Sequence, residues 1–312
     1  MKVQSLYSTV DVHVAGEAFR IIQVPPLVRY QSLKELYERL PDTFKKEREL
    51  LLNEPRGFAG LTGCLVLPPI DPRADASVLF FTHTESQPVH YGGAAAVITA
   101  LLEGGFLSPR VSSQYQLETV SGLIGLSAAM KEGEVVSVQL ESGPCRIIEK
   151  VSGCAPAFSL IESEGVYALL SKEEAAVEMD LAELTEWKKW GQKTLQMISG
   201  QWEVDGVIVL DESEASNGKI KSITFRKDGM IVRSPGFDAT AACCAFLLAE
   251  NKMSSSQTLV NESIFGSLIE AWPGEETEEG HRCKLSSRGF ITGTHTAILD
   301  PTDPLPSGFL LK

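Results

Sequence analysis

Two runs rich in small residues constrain the fold most, because each is typical of a buried helix. The first, residues 90–105 (HYGGAAAVITALLEGG), opens on a glycine pair, and its alanine-rich body has no charged residue before Glu103. A helix that is apolar on all sides belongs in a core. Its first-turn N–H groups and its dipole make the helix entrance suitable for a carboxylate or phosphate. The alternative is an ordinary buried helix whose glycines only turn the chain.

The second run, residues 235–248 (PGFDATAACCAFLL), repeats this pattern about half a chain further on. When the two runs are aligned, Tyr91 corresponds to Gly236 and Ala94 corresponds to Ala239. Two buried helices in matching positions indicate a duplicated architecture. If the two half-chains face each other, both helix N-termini reach one cleft, where a ligand can lie between them.

The chain length fits two domains and a mixed α/β class. With 312 residues, domains of about 150 residues each are expected. We assign residues 1–145 to the first domain, with a C-terminal return at about 300–312, and residues 146–299 to the second. Strand patterns outnumber helix patterns along the whole chain.

Local patterns predict several individual elements. Residues 10–24 alternate around a glycine and predict a hairpin. A helix over residues 32–40 is expected to end at Pro41. Ser171 and Glu174 have the spacing of a capping box.

Composition excludes several classes of function. A hydrophobic content of 43% excludes general disorder, and a net charge of −13 with a pI near 5.0 argues against nucleic acid and anionic membranes as partners. The N-terminus carries no recognisable export signal, and no apolar run reaches membrane-spanning length. The six cysteines form no C-x-x-C pair, so we expect reduced thiols in a cytoplasmic protein and no zinc site or other metal site.

A set of short motifs, spread over nearly the whole chain, carries a family resemblance. In order they are Asp11-Val12-His13 with Gly16-Glu17, Glu54-Pro55-Arg56-Gly57, Arg233-Ser234-Pro235, Glu262-Ser263-Ile264 with Gly266, Ile291-Thr292-Gly293, and Asp300-Pro301 with Asp303-Pro304. Each motif is weak alone, but their joint order and spacing resemble the proline racemase family. That family includes 4-hydroxyproline epimerases and trans-3-hydroxyproline dehydratases.

The resemblance implies a fold and a mechanism. The fold is diaminopimelate-epimerase-like: two similar domains, each a β-barrel around a central helix, with the site in the cleft between them. Such enzymes invert a carbon beside a carboxylate with two cysteines, one removing the α-proton and the other returning one on the opposite face. Backbone N–H groups at the two helix entrances hold the carboxylate, and no cofactor is implied.

The sequence departs from this family at the residues that carry the chemistry. Tyr91 and Gly236 stand at the two cysteine positions, and Gly93 stands at the histidine position of the first motif. Val232 replaces an aspartate expected to help hold the imino nitrogen. Asp238 stands where a backbone donor for the carboxylate is expected, and its charge would repel that carboxylate.

Two interpretations of these replacements stay open. In one, Tyr91, Asp238 and His90 form an alternative acid–base set, although tyrosine starts as a poor base with a pKa near 10. In the other, Tyr91 fills the space of the smaller thiol while Asp238 caps its helix. The candidate ligand-binding residues at the two entrances are Gly92, Gly93, Gly236, Phe237 and Asp238.

The remaining chemistry-bearing residues are interpreted as structural. Cys243 and Cys244 lie in the helix body and are expected in the core. Arg56 is expected to pair with a carboxylate of its own domain. The histidines expected to be hydrogen-bonded structural residues are His13, His83 and His295.

Three functions therefore compete. The first is a family member without two-thiol racemase activity that binds a small amino or imino acid, or has lost ligand binding. The second is an active racemase, epimerase or dehydratase with other acid–base groups. The third is a structural partner of an active paralogue, and a homodimer also stays open. By family the chain is an isomerase, and by its residues it is not expected to act as one.

Overall fold

The computed structural model describes residues 4–23, 30–153 and 155–311, and these divide into two compact units. The first unit comprises the chain up to Gln139 together with Arg288 onward, and the second comprises Leu140–Ser287. No helix within the described ranges is both long and apolar enough to cross a membrane.

Strands are the predominant regular structure in both units. The strands and helices of the first half are β1 (Ser5–Val14), β2 (Glu17–Ile22), α1 (Leu33–Thr43), α2 (Lys45–Leu52), β3 (Thr62–Leu67), β4 (Ala76–Phe81), β5 (Ser86–Gln87), α3 (Tyr91–Glu103), β6 (Gln114–Thr119), β7 (Gly122–Lys131) and β8 (Glu134–Glu141). The rest are β9 (Arg146–Val151), β10 (Phe158–Glu162), β11 (Val166–Ser171), α4 (Leu184–Ser199), β12 (Gly206–Asp211), β13 (Lys219–Arg226), α5 (Phe237–Ala249), β14 (Leu259–Ser263), β15 (Leu268–Thr277), β16 (Gly280–Ser287) and β17 (Gly289–Leu299).

The two units share one pairing order. In the first unit the strands pair in the order β17-β1-β2-β3-β4-β6-β7, with successive pairs antiparallel, antiparallel, parallel, antiparallel, parallel and antiparallel. In the second unit β9-β10-β11-β12-β13-β14-β15 follow the same series of orientations. Helix α3 comes between β4 and β6, and α5 comes between β13 and β14. The duplicated architecture predicted from the two small-residue runs is therefore present.

Each small-residue run forms the central helix of its unit. Every residue of α3 from Tyr91 to Leu102 is buried, and the helix packs against β1, β2, β3, β7 and β17. Helix α5 packs against β9, β10, β11, β15 and β16. Small side chains allow this close approach: a Cβ atom on Gly289 of β17 would lie 2.5 Å from the Thr99 Oγ1 of α3. The apolar composition is thus explained by burial on all sides.

The last strand corrects the sequence-based assignment of residues 288–299. That division placed them in the second domain, but β17 runs antiparallel to β1 and belongs to the first unit. Ten residues of β17 pair with β1, and this pairing decides the assignment. No pattern within β17 itself indicates its partner strand. The return to the first unit therefore begins at Arg288 and not near residue 300.

Two local predictions need correction. Helix α1 continues through Pro41 to Thr43, because a proline in the last turn removes only one intrahelical hydrogen bond. Ser171 makes no cap bond, since its hydroxyl donates to the Glu173 carboxylate. The predicted hairpin is present as β1 and β2, and its last predicted residue, Val24, lies outside the described residues.

Candidate functional site

His90 is the N-cap of α3, and its ring contacts four neighbouring residues. Its Nδ1 accepts a hydrogen bond from the Gly93 N–H at 3.1 Å, and its Nε2 lies 3.3 Å from the Glu17 Oε1. The rings of Phe19 and Phe80 lie 5.1 and 6.0 Å from it. An accepting Nδ1 carries no proton, so the proton sits on Nε2 and faces Glu17. Its Nδ1 lone pair is used as a helix cap.

Glu17 brings a carboxylate to the entrance of α3. A Cβ atom on Gly92 would lie 3.6 Å from the Glu17 Oε2 and 3.1 Å from the Phe19 Cζ, so both side chains border the first turn. Tyr91 is the first residue of the helix and is only 5% exposed. The sequence placed Glu17 only in an N-terminal motif. Its place beside His90 depends on the β1–β2 hairpin, which no short pattern reveals.

Gly93 has no space for the histidine that the family motif places there. A Cβ atom at this position would lie 2.7 Å from the Phe80 Cε1 and 3.5 Å from the Cys64 Sγ. The Phe80 ring, which is fully buried, therefore occupies the direction that a side chain at position 93 would take. Where the family motif has a histidine, this chain has Gly93, and the bulky Phe80 ring takes up the space beside it.

The entrance of α5 is built on an unusual backbone conformation. Gly236 is the N-cap with φ 73° and ψ 133°, and its N–H donates to the Ser234 Oγ at 3.0 Å. This conformation is disfavoured for residues that carry a Cβ. Asp238 is the second residue of the helix, and the expectation that it caps the helix is wrong, since Gly236 is the cap residue and makes no side-chain cap bond. Its charge still lies in the first turn, where the helix dipole favours it.

Buried thiols lie behind the entrance of α5. Burial and the nearby negative charge of Asp238 raise the pKa of Cys145 from 9.0 to about 12. Contact with Cys244 and burial raise the pKa of Cys283, and burial raises that of Cys243. Cys243 and Cys244 are fully buried, as expected for core residues. Cys145, which no motif marks, lies close enough to Asp238 to be influenced by its charge, and its raised pKa keeps it protonated near neutral pH.

The raised pKa of Cys145 predicts a loss of stability at alkaline pH. Above pH 9.0 the unfolded chain releases this proton while the folded protein keeps it up to about pH 12, so the free energy of unfolding falls as pH rises. Each such thiol contributes a slope of about 1.4 kcal/mol per pH unit. Urea denaturation at pH 8.5, 9.5 and 10.5 should give a smaller slope for Cys145→Ala than for the unchanged chain. Parallel slopes would contradict the assignment.

The N-terminal and E-P-R-G motifs form a structural network. The buried Arg20 guanidinium donates to both Asp11 carboxylate oxygens, at 2.8 and 2.7 Å, and to the carbonyl oxygens of Leu51 and Arg56. Arg56 pairs with Asp303 at 3.2 Å, so the expected carboxylate of its own domain is Asp303. These motifs therefore tie β1, β2 and the segment after α2 to the C-terminal segment.

The other histidines are engaged in structural contacts. The two ring nitrogens of His83 lie 3.0 Å from the Asn53 Oδ1 and 3.1 Å from the Phe58 carbonyl, in a bend after β4. His295 lies 3.2 Å from the Asp11 Oδ2. His13 stacks on Phe290 at 5.1 Å, and burial lowers its pKa. Within the described ranges no group of three or more His, Cys, Asp or Glu side chains is arranged to hold a metal ion.

The structure thus groups the predicted site residues by helix entrance. His90, Tyr91, Gly92 and Gly93 lie at the entrance of α3 with Glu17 beside them. Gly236, Phe237 and Asp238 lie at the entrance of α5. Each entrance presents first-turn N–H groups to an acceptor, and each also carries one carboxylate side chain.

Comparisons with known proteins agree with this architecture. The family model described as proline racemase matches residues 9–310. A trans-3-hydroxy-L-proline dehydratase from Bacillus cereus is 30% identical over the full length of both chains. The crystal structure of a probable proline racemase from Agrobacterium radiobacter, with bound carbonate, has a TM-score of 0.87 at 26% identity and covers 98% of this chain and 96% of its own.

A second crystal structure supports the same fold. A hydroxyproline epimerase from Agrobacterium vitis, with bound trans-4-hydroxy-L-proline, has a TM-score of 0.87 at 24% identity and covers 100% of this chain and 96% of its own. The predicted α/β class with two epimerase-like domains is confirmed. The chain belongs to the proline racemase family.

Proposed function

We propose that this chain binds a small imino or amino acid through its helix entrances and does not perform two-thiol racemisation. The observation that carries the proposal is Gly236, which stands at the second cysteine position. It has no side chain to donate or accept a proton, and its φ of 73° is a conformation that favours glycine. Inversion needs a proton-transfer group on each face of the α-carbon. A chain that lacks the group on one face therefore cannot invert the carbon.

The charges at the entrances favour a zwitterion over a simple anion. First-turn N–H groups, such as those of Gly92 and Phe237, suit the carboxylate of a ligand. Glu17 and Asp238 would repel that carboxylate, but either can pair with a positively charged nitrogen beside it. Among the relatives, one structure holds carbonate and another holds trans-4-hydroxy-L-proline. A cyclic imino acid combines both charges and fits this arrangement.

Dehydration is the second candidate, because the relative from Bacillus cereus is named a trans-3-hydroxy-L-proline dehydratase. Dehydration needs only one base: it removes the α-proton while the neighbouring carbon loses its hydroxyl, which leaves with a proton as water. Tyr91 or Asp238 would serve as this base. His90 is less suited, since its Nδ1 already accepts the Gly93 N–H.

The test is α-proton exchange in D₂O, followed by NMR on L-proline, D-proline and the hydroxyprolines, with calorimetric binding measured in parallel. We expect no deuterium incorporation and saturable binding of a hydroxyproline. Asp238→Asn should weaken binding about tenfold if it pairs with the ring nitrogen, whereas the exposed Glu203→Gln should not. Deuterium incorporation that Tyr91→Phe abolishes would support the second candidate. Absence of both exchange and binding would contradict both proposals.

Restoring both thiols should not restore racemisation. In the Tyr91→Cys/Gly236→Cys variant, the new Cβ at position 236 has space but adopts a strained φ at a cost of about 1–3 kcal/mol. Val232 and Gly93 still lack polar side chains. Polarimetry with L-proline checks this, and robust racemisation by this variant would refute the argument.

A further inference from the structure

At the entrance of α3 a side chain of the protein already acts as an acceptor. The His90 Nδ1 accepts the Gly93 N–H at 3.1 Å, and the next N–H of the helix, that of Ala94, donates to the His90 carbonyl oxygen at 2.8 Å. Gly93 therefore carries the last first-turn N–H before the intrahelical hydrogen bonds begin. The imidazole stands at this N–H where the carboxylate of a ligand would bind.

The His90 ring and the Glu17 carboxylate both border the first turn of α3. A Cβ atom on Gly92 would lie 3.5 Å from the His90 Cε1 and 3.6 Å from the Glu17 Oε2. Each of the two polar side chains is 15% exposed. A proton from solvent can therefore reach the ring without unfolding of the entrance.

Protonation of His90 would change this entrance in three ways, and all three favour an anion. An imidazolium carries a proton on both ring nitrogens, so its Nδ1 can no longer accept the Gly93 N–H and the cap bond is lost. The ring gains a positive charge. Glu17, whose Oε1 lies 3.3 Å from the His90 Nε2, becomes the counter-ion of that charge and repels a ligand carboxylate less.

The neighbouring titratable groups point to His90 as the group that changes state. Glu17 on β2 and Cys64 on β3 face this turn, since a Cβ atom on Gly93 would lie 3.5 Å from the Cys64 Sγ, and Tyr91 follows His90 in the chain. Burial and the Glu17 charge raise the pKa of Cys64, which stays protonated. Among these residue types, histidine is the one that ordinarily titrates between pH 5 and 8.

We propose that His90 is a proton-controlled gate on the α3 entrance, a proposal that rests on the proposed function. With a neutral ring the gate is closed, because the ring keeps the Gly93 N–H. With a protonated ring the gate is open, and the carboxylate of the imino acid accepts this N–H beside the imidazolium. Ligand binding and protonation of His90 then favour each other, so the affinity rises as the pH falls.

The gate itself is tested without ligand, by NMR of the ¹⁵N-labelled full chain between pH 8.0 and 5.5. We expect the Gly93 amide resonance to shift with the same midpoint as the ring nitrogens of His90. In His90→Asn the side chain stays an acceptor over this whole range, so the Gly93 resonance should move much less. A Gly93 resonance that stays constant in the unchanged chain would overturn the proposal.

The coupling to ligand is tested by calorimetry with trans-4-hydroxy-L-proline, which keeps both of its charges over this pH range. We expect binding at least about tenfold tighter at pH 5.5 than at pH 8.0. His90→Asn should remove this difference, whereas His281→Gln in the second unit should retain it. Equal affinity at both pH values would overturn the gate and leave the proposed function standing. Absence of binding at both would contradict the proposed function, and the Gly93 resonance would then decide on the gate.

Discussion

Arg20→Met should lower the free energy of unfolding by about 3–5 kcal/mol, because it removes one partner of a buried ion pair. Arg20 is only 5% exposed and binds both Asp11 oxygens and two main-chain carbonyls, those of Leu51 and Arg56. Without the guanidinium, the Asp11 carboxylate keeps only its contact with His295, and both carbonyls lose the donors that Arg20 supplies. Urea denaturation followed by circular dichroism at neutral pH measures the effect.

Two controls separate this network from the general loss of an arginine. Arg39→Met removes an exposed ion pair with Glu35 on α1 and should cost less than about 0.5 kcal/mol. In the double variant Arg20→Met/Asp11→Leu, no unpaired charge remains, so part of the lost stability should return. A loss below about 1 kcal/mol for Arg20→Met would show that the network contributes little.

The second large effect is expected at Gly93. Gly93→Ala should destabilise the protein by about 1–3 kcal/mol, since the new Cβ would lie 2.7 Å from the buried Phe80 ring. Phe80→Leu alone leaves a smaller side chain in the core and is also destabilising. In the double variant the new methyl group enters the space that the ring vacates, so the combined loss should be clearly smaller than the sum of the two single losses.

The measurement is a double-mutant cycle of unfolding free energies. Gly125→Ala serves as the control, since a Cβ atom there meets nothing within 4 Å, and it should be nearly neutral. Additive losses at Gly93 and Phe80 would mean that the cost of the new Cβ does not arise from the Phe80 ring, contrary to our interpretation of this entrance. A negligible loss for Gly93→Ala would mean that the ring moves aside without cost.

The central helices were predictable because their signal is local. A helix body of alanine, glycine and cysteine has no polar face to turn toward solvent, so its burial follows from composition. Its recurrence in the second half also predicted the duplication, which the shared strand order shows. The order of the short motifs along the chain similarly predicted the family, because several weak motifs rarely occur by chance in the same order and spacing.

Predictions that depended on partners distant in sequence were less complete. The surroundings of His90 are one example. Its contacts with Phe19, Phe80 and Glu17 bring together residues from β2, β4 and the loop before α3. The Ser171 capping box failed because Glu173 competes for the hydroxyl. Such competition is decided by side-chain geometry, which spacing does not contain.

By itself the sequence determined the two buried helices, the mixed α/β class and the absence of cysteine at positions 91 and 236. Only the tertiary structure decided why position 93 admits no side chain, why position 236 favours glycine, and which unit residues 288–299 join. The physical reason is that the first set depends on composition and local spacing. The second depends on which rings, strands and backbone angles meet once the chain has folded.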